Sequence, residues 1–342
     1  MNDILSRPII RGRLGMVSTG HHLSSFVGAQ ILNKGGNAID ATIAATATIC
    51  VVKPHMCGIG GDSFTLLYSK KNGKVSALNS SGLSPQKTDI DEILREKTNR
   101  LLEDDIRSTT IPGIIDSWVQ LSEKYGTIPL SELLEPAIKY AKNGFPVSNN
   151  LNEAIIKSSN KISKYKETSR TFIPNGNPLR AGQILIQKEL GETLEKIAQN
   201  GKEIFYNGKI TKLIEDYNNN NGGWLKQDDF NNYKSEWMEP IKTKYRDFEV
   251  YEQPPVSQGF LLLEALNIIE GYELEKYETD SPEKIHLCAQ AMKLAFSDRI
   301  KYFGDPNVID VPLEELLSKE KSVKMRDKID KGKLNNLLNP KE

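Results

Sequence analysis

Several short stretches of this chain carry residues able to do chemistry. In "ALNSSGLSP", residues 77–85, Asn79, Ser80, Ser81 and Gly82 set three small hydrogen-bonding side chains beside one bare backbone position. Such a run ahead of Pro85 either makes a turn or lines a pocket for a polar substrate, and both readings stay open at the level of residue types. "CGIGGDSF" places Gly58, Gly60 and Gly61 before a strand-like run. A phosphate cradle needs its glycines after a strand and before a helix, so that helix amides converge on the anion. The reversed order counts against a nucleotide site and reads as a close backbone crossing, with the floor of a substrate cleft as the other use.

His55 and Cys57 stand two apart and suggest a thiol with its base. A catalytic pair normally comes from separate segments with a third orienting group, so this spacing is not enough. His21-His22 has no second cluster of ligands at zinc-like spacing, and capping roles are preferred; no metal is expected. In "FSDRIKYFGDP" two aspartates, Asp298 and Asp305, flank Arg299. Two carboxylates can do acid–base work, but an Asp-Arg pair at a helix end is expected to form caps and a buried ion pair. Ser257, in "QPPVSQG", reads first as an N-cap. These pieces do not assemble into a complete catalytic set.

The elements that must position them are legible from periodicity. "LSSFVGAQILNKGG" is a helix stopped by Gly35 and Gly36, and Asn37 with Asp40 opens the next one. Residues 64–68 and 75–78 form a hairpin around "KKNGK". "TTIPGIIDSWVQLSEKYG" turns at Pro112-Gly113 into an amphipathic helix that ends at Gly126. "PLSELLEPAIKYAKNG", "KELGETLEKIAQNG", "GFLLLEALNIIEGY" and the run from Pro282 to Tyr302 are further helices, and "DFEVYEQPP" is a strand stopped by prolines. "DYNNNNGG" reads as a surface loop, and the last thirty or so residues as a polar segment leaving the domain. The whole is a mixed α/β chain with many helices and too few strands for a full sheet.

Composition narrows the classes. The 342 residues are 38% hydrophobic and 26% charged, with 45 basic and 45 acidic side chains. That balance has no basic footprint for nucleic acid. Three cysteines, Cys50, Cys57 and Cys288, are too few for a disulfide framework. The N-terminal segment lacks the apolar core of a signal peptide, and the most apolar run, Ala38 to Val52, is too short for a bilayer. A soluble, cytoplasmic protein without a cofactor is expected, folding as one domain over residues 1–342.

Read in order, "GMVSTGHHLSSFVGAQILNKGGNAIDATIAA", "GIGGDSF", "TIPGIIDSWVQLSEKYGTIPLSELLEPAIKYAKNGFPVS", "YRDFEVYEQPPVSQGFLLLEALNIIEGY" and "AFSDRIKYFGDPNVIDVP" resemble the large subunit of the γ-glutamyltranspeptidase family, from about Arg11 to Pro312. The resemblance implies an N-terminal-nucleophile hydrolase with a four-layer αββα sandwich whose two sheets are shared with a small subunit. It also implies that a precursor cuts itself and that the new N-terminal threonine of the small subunit is the nucleophile. No catalytic residue then lies in this chain, and the missing strands and missing catalytic set share one explanation. The partner implied is that small subunit, in an αβ heterodimer, and the substrate a small amide.

In the transpeptidases an Asp-x-Arg-Glu-x-Ala-Pro motif carries the arginine that grips the substrate's α-carboxylate. Aligned on Pro85, Asn79 stands at the Asp and Ser81 at the Arg. Serine has neither the charge nor the bidentate fork of arginine. The resemblance therefore assigns Asn79, Ser80, Ser81 and Gly82 to substrate binding, in a branch closer to amidohydrolases and acylases than to true transpeptidases. The alternatives are a genuine γ-glutamyltransferase or glutathione hydrolase, and an inactive binding homologue.

Overall fold

A computed structural model describes residues 9–96, 100–102 and 104–330. The chain is α/β and packs as two compact units: one comprises the chain up to Asp62 with Ser81–Ser235, the other Ser63–Ser80 with the chain from Glu236.

The first unit is helical. Helix α1, His22–Asn33, ends as expected at two glycines. Gly36 N–H reaches the Ile31 carbonyl and Gly35 N–H that of Leu32, both at 3.0 Å. Gly35 sits at φ 93°, where a side chain is disfavoured, and so completes a Schellman closure. Helix α2, Ala38–Val52, starts with the expected capping box: Asn37 Oδ1 accepts from Ile39 and Asp40 N–H, and Asp40 Oδ2 accepts from Asn37 N–H at 2.8 Å. Its small apolar residues suit burial on nearly all sides, and Ile43, Ala44, Ala47 and Val51 are fully buried. Asp40 also accepts from Thr127 N–H at 2.9 Å, which ties α2 to the turn between α3, Ile114–Tyr125, and α4, Leu130–Asn143. Helix α5, Lys188–Asn200, follows.

Helix α6 corrects one expectation. It spans Lys209–Asn221 and takes in most of the asparagine-rich run read as a loop. Gly222, left-handed at φ 77°, ends it, and the buried Asn218 donates back to the Ile214 carbonyl at 3.0 Å. Packing of Ile210 and Thr211 outweighs the weak helix propensity of asparagine.

The second unit begins with the expected hairpin. Strands β1, Ser63–Ser69, and β2, Lys74–Ser80, pair antiparallel with Phe64 opposite Asn79, and Gly73 at φ 64° closes the turn. Strand β3, Glu236–Met238, adds to β2 with Leu78 opposite Trp237. Strands β4, Ile241–Tyr245, and β5, Phe248–Glu252, form a second hairpin. Gln253 Nε2 donates to the Thr65 carbonyl at 2.6 Å. Helices α7, Gly259–Ile269, and α8, Pro282–Tyr302, enclose an apolar core containing Phe260, Ile268, Leu287 and Leu294.

Two further expectations change here. The chain does not leave its domain near residue 313. Leu316, Met325 and Ile329 are buried in the same core, the second of them on helix α9, Lys319–Arg326, while residues 331–342 lie outside the described part. Nor does Asp298 pair with Arg299. Neighbours in a helix point apart: Asp298 faces Lys321 Nζ at 2.9 Å, and the Arg299 guanidinium lies over the Phe303 ring. Asp305 does cap its turn, accepting from Asn307 N–H at 2.9 Å.

Among the described residues, the sheets have three, two and two strands, so the shortage read from the sequence is present. Among those same residues no helix is long and apolar enough to cross a membrane.

Candidate functional site

The segment leaving β2 is held by its backbone. Strand alternation fixes what each side chain does. Leu78 and Ser80 share one face and are both fully buried; among the described residues the Ser80 hydroxyl finds no hydrogen-bond partner. Asn79, on the other face, is half-buried, as are Ser81 and Gly82. The four site residues expected from the sequence are therefore not equivalent. That Ser80 follows Leu78 at the two-residue period of a strand is a signal already present in the sequence.

From Ser81 onward three contacts clamp the main chain. Gly82 N–H donates to Asp62 Oδ1 at 3.1 Å, Ile111 N–H donates to the Leu83 carbonyl at 3.0 Å, and the Tyr233 hydroxyl donates to the Ser81 carbonyl at 3.2 Å. A Cβ on Gly82 would lie 1.8 Å from the Ile111 carbonyl oxygen, so glycine is required by close approach. Further on, Gln86 N–H donates to Asp229 Oδ1 at 3.0 Å. The stretch runs as strand to Ser80 and then without regular structure to Pro85 on this clamped course; the turn its composition suggested comes just after, at Gln86 and Lys87.

Asp62 closes the glycine loop, and the loop's Gly61 carbonyl accepts from both Gly113 and Ile114 N–H at 3.0 Å. Those amides open α3, where an anion would have to sit, so the loop caps the helix with backbone and leaves no phosphate cradle there. Space for a side chain is open at Gly58 and Gly60. Of the three glycines expected to make a close crossing, only Gly61 is crowded, its Cβ position lying 3.3 Å from the Gly58 carbonyl oxygen; a much closer approach is at Gly82.

Behind the clamp lies a buried polar network that the sequence did not suggest. Asp116, fully buried on α3, accepts from Lys202 Nζ at 2.7 Å, Ser235 N–H at 2.7 Å and Gln120 Nε2 at 2.8 Å. Burial pushes its carboxyl up, but the Lys202 ammonium and these donors outweigh that and hold it below the usual carboxylate range. Gln120 Nε2 also donates to the Ser235 carbonyl at 2.7 Å. Tyr206 donates to the Pro112 carbonyl at 2.7 Å and stacks on Tyr233, ring centroids 5.6 Å apart and 21° from parallel.

The histidine and cysteine candidates settle into structural places. His21 Nδ1 accepts from Leu23 N–H at 3.3 Å and so caps α1, while its ring stacks on His22. Burial, then the neighbouring His22, Lys53 and His55, push His21 down to about 4, so it is neutral at pH 7. No hydrogen bond joins His55 to Cys57; burial and then Lys53 lower the His55 value as well. Among the described residues no group of three or more His, Cys, Asp or Glu side chains is placed to hold a metal ion.

A second buried acid sits in the other unit. Glu264 on α7 is fully buried beside Asp298 of α8. Burial first, and then Asp298, push it up to about 9, which keeps it neutral at pH 7. Its place in the apolar run "FLLLEALN" was its only sequence signal.

Comparison with known proteins places this arrangement. The sequence profile described as Gamma-glutamyltranspeptidase matches residues 24–341. The chain is 38% identical to the glutathione hydrolase-like YwrD proenzyme of Bacillus subtilis (strain 168), over 93% of the chain and 60% of that protein. It is 35% identical to the acylase ACY 1 proenzyme of Pseudomonas sp. (strain V22), over 90% of the chain and 57% of that protein. It superposes on the gamma-glutamyltranspeptidase of Helicobacter pylori with a TM-score of 0.92 at 31% identity, covering 97% of this chain and 96% of that one. On the cephalosporin acylase of Bacillus halodurans the TM-score is 0.87 at 34% identity, covering 96% of this chain and 63% of that one. The chain thus spans little more than half the length of the curated relatives it matches.

Proposed function

This chain belongs to the gamma-glutamyltranspeptidase family, and from that membership we propose that it is the large subunit of a self-processed N-terminal-nucleophile amidohydrolase cleaving a small amide bond. Its α/β fold is that of the family's solved structures. A difference in coverage supports the two-chain reading: the chain matches 96% of the Helicobacter pylori transpeptidase chain but 60% of the YwrD proenzyme. The remaining part of such a precursor would supply the small subunit, the rest of the four-layer sandwich and the nucleophile.

In the proposed mechanism the partner's N-terminal threonine attacks the amide carbonyl, with its own α-amine taking the hydroxyl proton. Backbone N–H groups of the small subunit hold the oxyanion. The amine leaves with that proton, and water then releases the acyl group from the threonine ester. The large subunit contributes binding, through the segment Asn79, Ser80, Ser81 and Gly82. Ser81 and Asn79 offer side chains to the acyl portion, Gly82 lets the backbone run close, and Ser80, buried, supports the segment from within.

The observation that carries the choice of reaction is Ser81 in place of the carboxylate-gripping arginine, on a backbone clamped by Asp62, Ile111 and Tyr233. Without arginine's charged fork, recognition of a γ-glutamyl α-carboxylate loses its strongest contact. Relatives at similar identity include both glutathione hydrolases and acylases, so family membership alone leaves the acyl group open.

The test is to express the full precursor, confirm an N-terminal threonine on the smaller chain, and compare γ-glutamyl-p-nitroanilide with butyryl-p-nitroanilide, which lacks the α-amine and α-carboxylate. Turnover favouring the butyryl compound is expected. A strong preference for the γ-glutamyl compound with transfer to an acceptor would reverse the assignment, and a smaller chain lacking threonine would leave a binding homologue. The three free cysteines support a reducing, cytoplasmic setting, which cell fractionation checks.

A further inference from the structure

We propose that Tyr233 is a positioning residue for substrate recognition: its hydroxyl, donating to the Ser81 carbonyl, sets the direction in which the Ser81 side chain points. The proposal rests on the reading of Ser81 as a substrate contact.

The segment's other backbone anchors act at Gly82 and Leu83, through Asp62 Oδ1 at 3.1 Å and Ile111 N–H at 3.0 Å. They fix the chain after Ser81. The peptide plane between Ser81 and Gly82 is held at two edges, at its N–H by Asp62 and at its carbonyl by the Tyr233 hydroxyl at 3.2 Å, so that loss of the second leaves it free to pivot about the first. Rotation of that plane changes ψ of Ser81 and swings its Cβ–Oγ bond, because a fixed Gly82 leaves the upstream residue to absorb the turn. A short side chain such as serine has one rotatable bond to its hydroxyl, so it cannot recover a misdirected Cβ as a long arginine can.

Tyr233 is itself held from two sides. Its ring is stacked on Tyr206, whose hydroxyl is engaged by the Pro112 carbonyl and the Asp116 N–H at 2.7 and 3.1 Å. Two residues on, Ser235 has its N–H bound by Asp116 and its carbonyl bound by Gln120, each at 2.7 Å. The main chain bearing Tyr233 is thus fixed by a buried carboxylate, and the tyrosine relays that rigidity to Ser81. A buried aromatic ring that reaches a polar partner through its hydroxyl is suited to such a role, since removing the oxygen leaves the packing in place.

The decisive variant is Tyr233→Phe in the self-cleaved two-chain protein, with Ser81→Ala and the double variant beside it. Hydrogen exchange of the segment 79–86 is expected to rise in Tyr233→Phe while the helices of the same unit keep their protection; unchanged exchange there overturns the positioning role whatever the activity. With the better of the two anilides, Tyr233→Phe is expected to raise KM five- to tenfold with kcat within about twofold and little change in Tm. In the Ser81→Ala background the same change is expected to have no further effect on KM. An equal rise in KM in both backgrounds would assign Tyr233 a structural role only. If Ser81→Ala leaves KM unchanged for both anilides, the reading of Ser81 as a substrate contact falls, and the exchange experiment still decides whether Tyr233 holds the segment.

Discussion

Asp116 in the first unit and Glu264 in the second are both fully buried and differ in charge state. Asp116 is ionised, with a lysine, a backbone N–H and an amide on its oxygens. Among the described residues Glu264 meets no donor on either oxygen; it has a second carboxyl beside it, and it stays protonated. Burial is common to both and disfavours charge in both. The partners decide the outcome. In the first unit the charge organises a polar network that ends on the candidate site. In the second, the neutral Glu264 shares its surroundings with the Asp298–Lys321 ion pair and joins α7 to α8 and α9.

The most direct way to break this contrast is to remove the charged member. Asp116→Ala leaves Lys202, Gln120 and the Ser235 N–H without their acceptor, and a loss of about 3 kcal/mol in urea unfolding is expected. Loss of the ion partner in the second unit comes next. Lys321→Met strands Asp298 beside Glu264, and a loss of about 2 kcal/mol is expected in the same measurement.

Glu264→Gln should separate the two acids by sign. Folding raises the proton affinity of Glu264 from 4.5 to about 9, so between those values the native state holds one proton that the unfolded chain has released. Stability therefore falls as pH rises through this window. Glutamine keeps the shape without the proton, so the variant should match wild type near pH 4.5 and become progressively more stable by pH 8. A wild-type advantage that grows with pH would show Glu264 to be ionised in the fold.

For Asp116 the shift runs the other way. Its stabilisation is fully present above the ordinary value of 3.8 and is lost as pH falls below it. Acid unfolding followed between pH 5 and 2 should accordingly show a transition that the Asp116→Asn variant lacks. This is the smallest of the expected effects, because other carboxylates titrate in the same range.

The features the sequence disclosed were those written in local spacing. The Asn37–Asp40 box, the Gly35-Gly36 stop and the Asn72-Gly73 hairpin all depend on residues a few positions apart, and each is present in the structure. Asp116 meets Lys202 and Ser235 across 86 and 119 residues of chain, and no local pattern announces such meetings. Tyr233 lies in the polar run "NNYKSEW" and reaches Ser81 from 152 residues away. The asparagine run misled for a related reason. Its helix is stabilised by tertiary packing that propensity does not register. At the candidate site the residue types drew attention to the segment 79–82, while the inward turn of Ser80 needed the strand's register, and the clamp on Gly82 needed Ile111.

The contact between Gly82 and the Ile111 carbonyl bears on how selectivity in this protein can be altered by directed evolution. The main chain is pinned one residue downstream of position 81, so on the proposed reading of Ser81 as a substrate contact that position is the natural one to vary. Position 82 admits no substitution of any size. A library that randomises residues 79 to 84 would waste nearly all of its members on codon 82. On the proposed reading of Asn79 and Ser81, one that holds glycine there and varies 79 and 81 together samples acyl preference while keeping the close crossing intact.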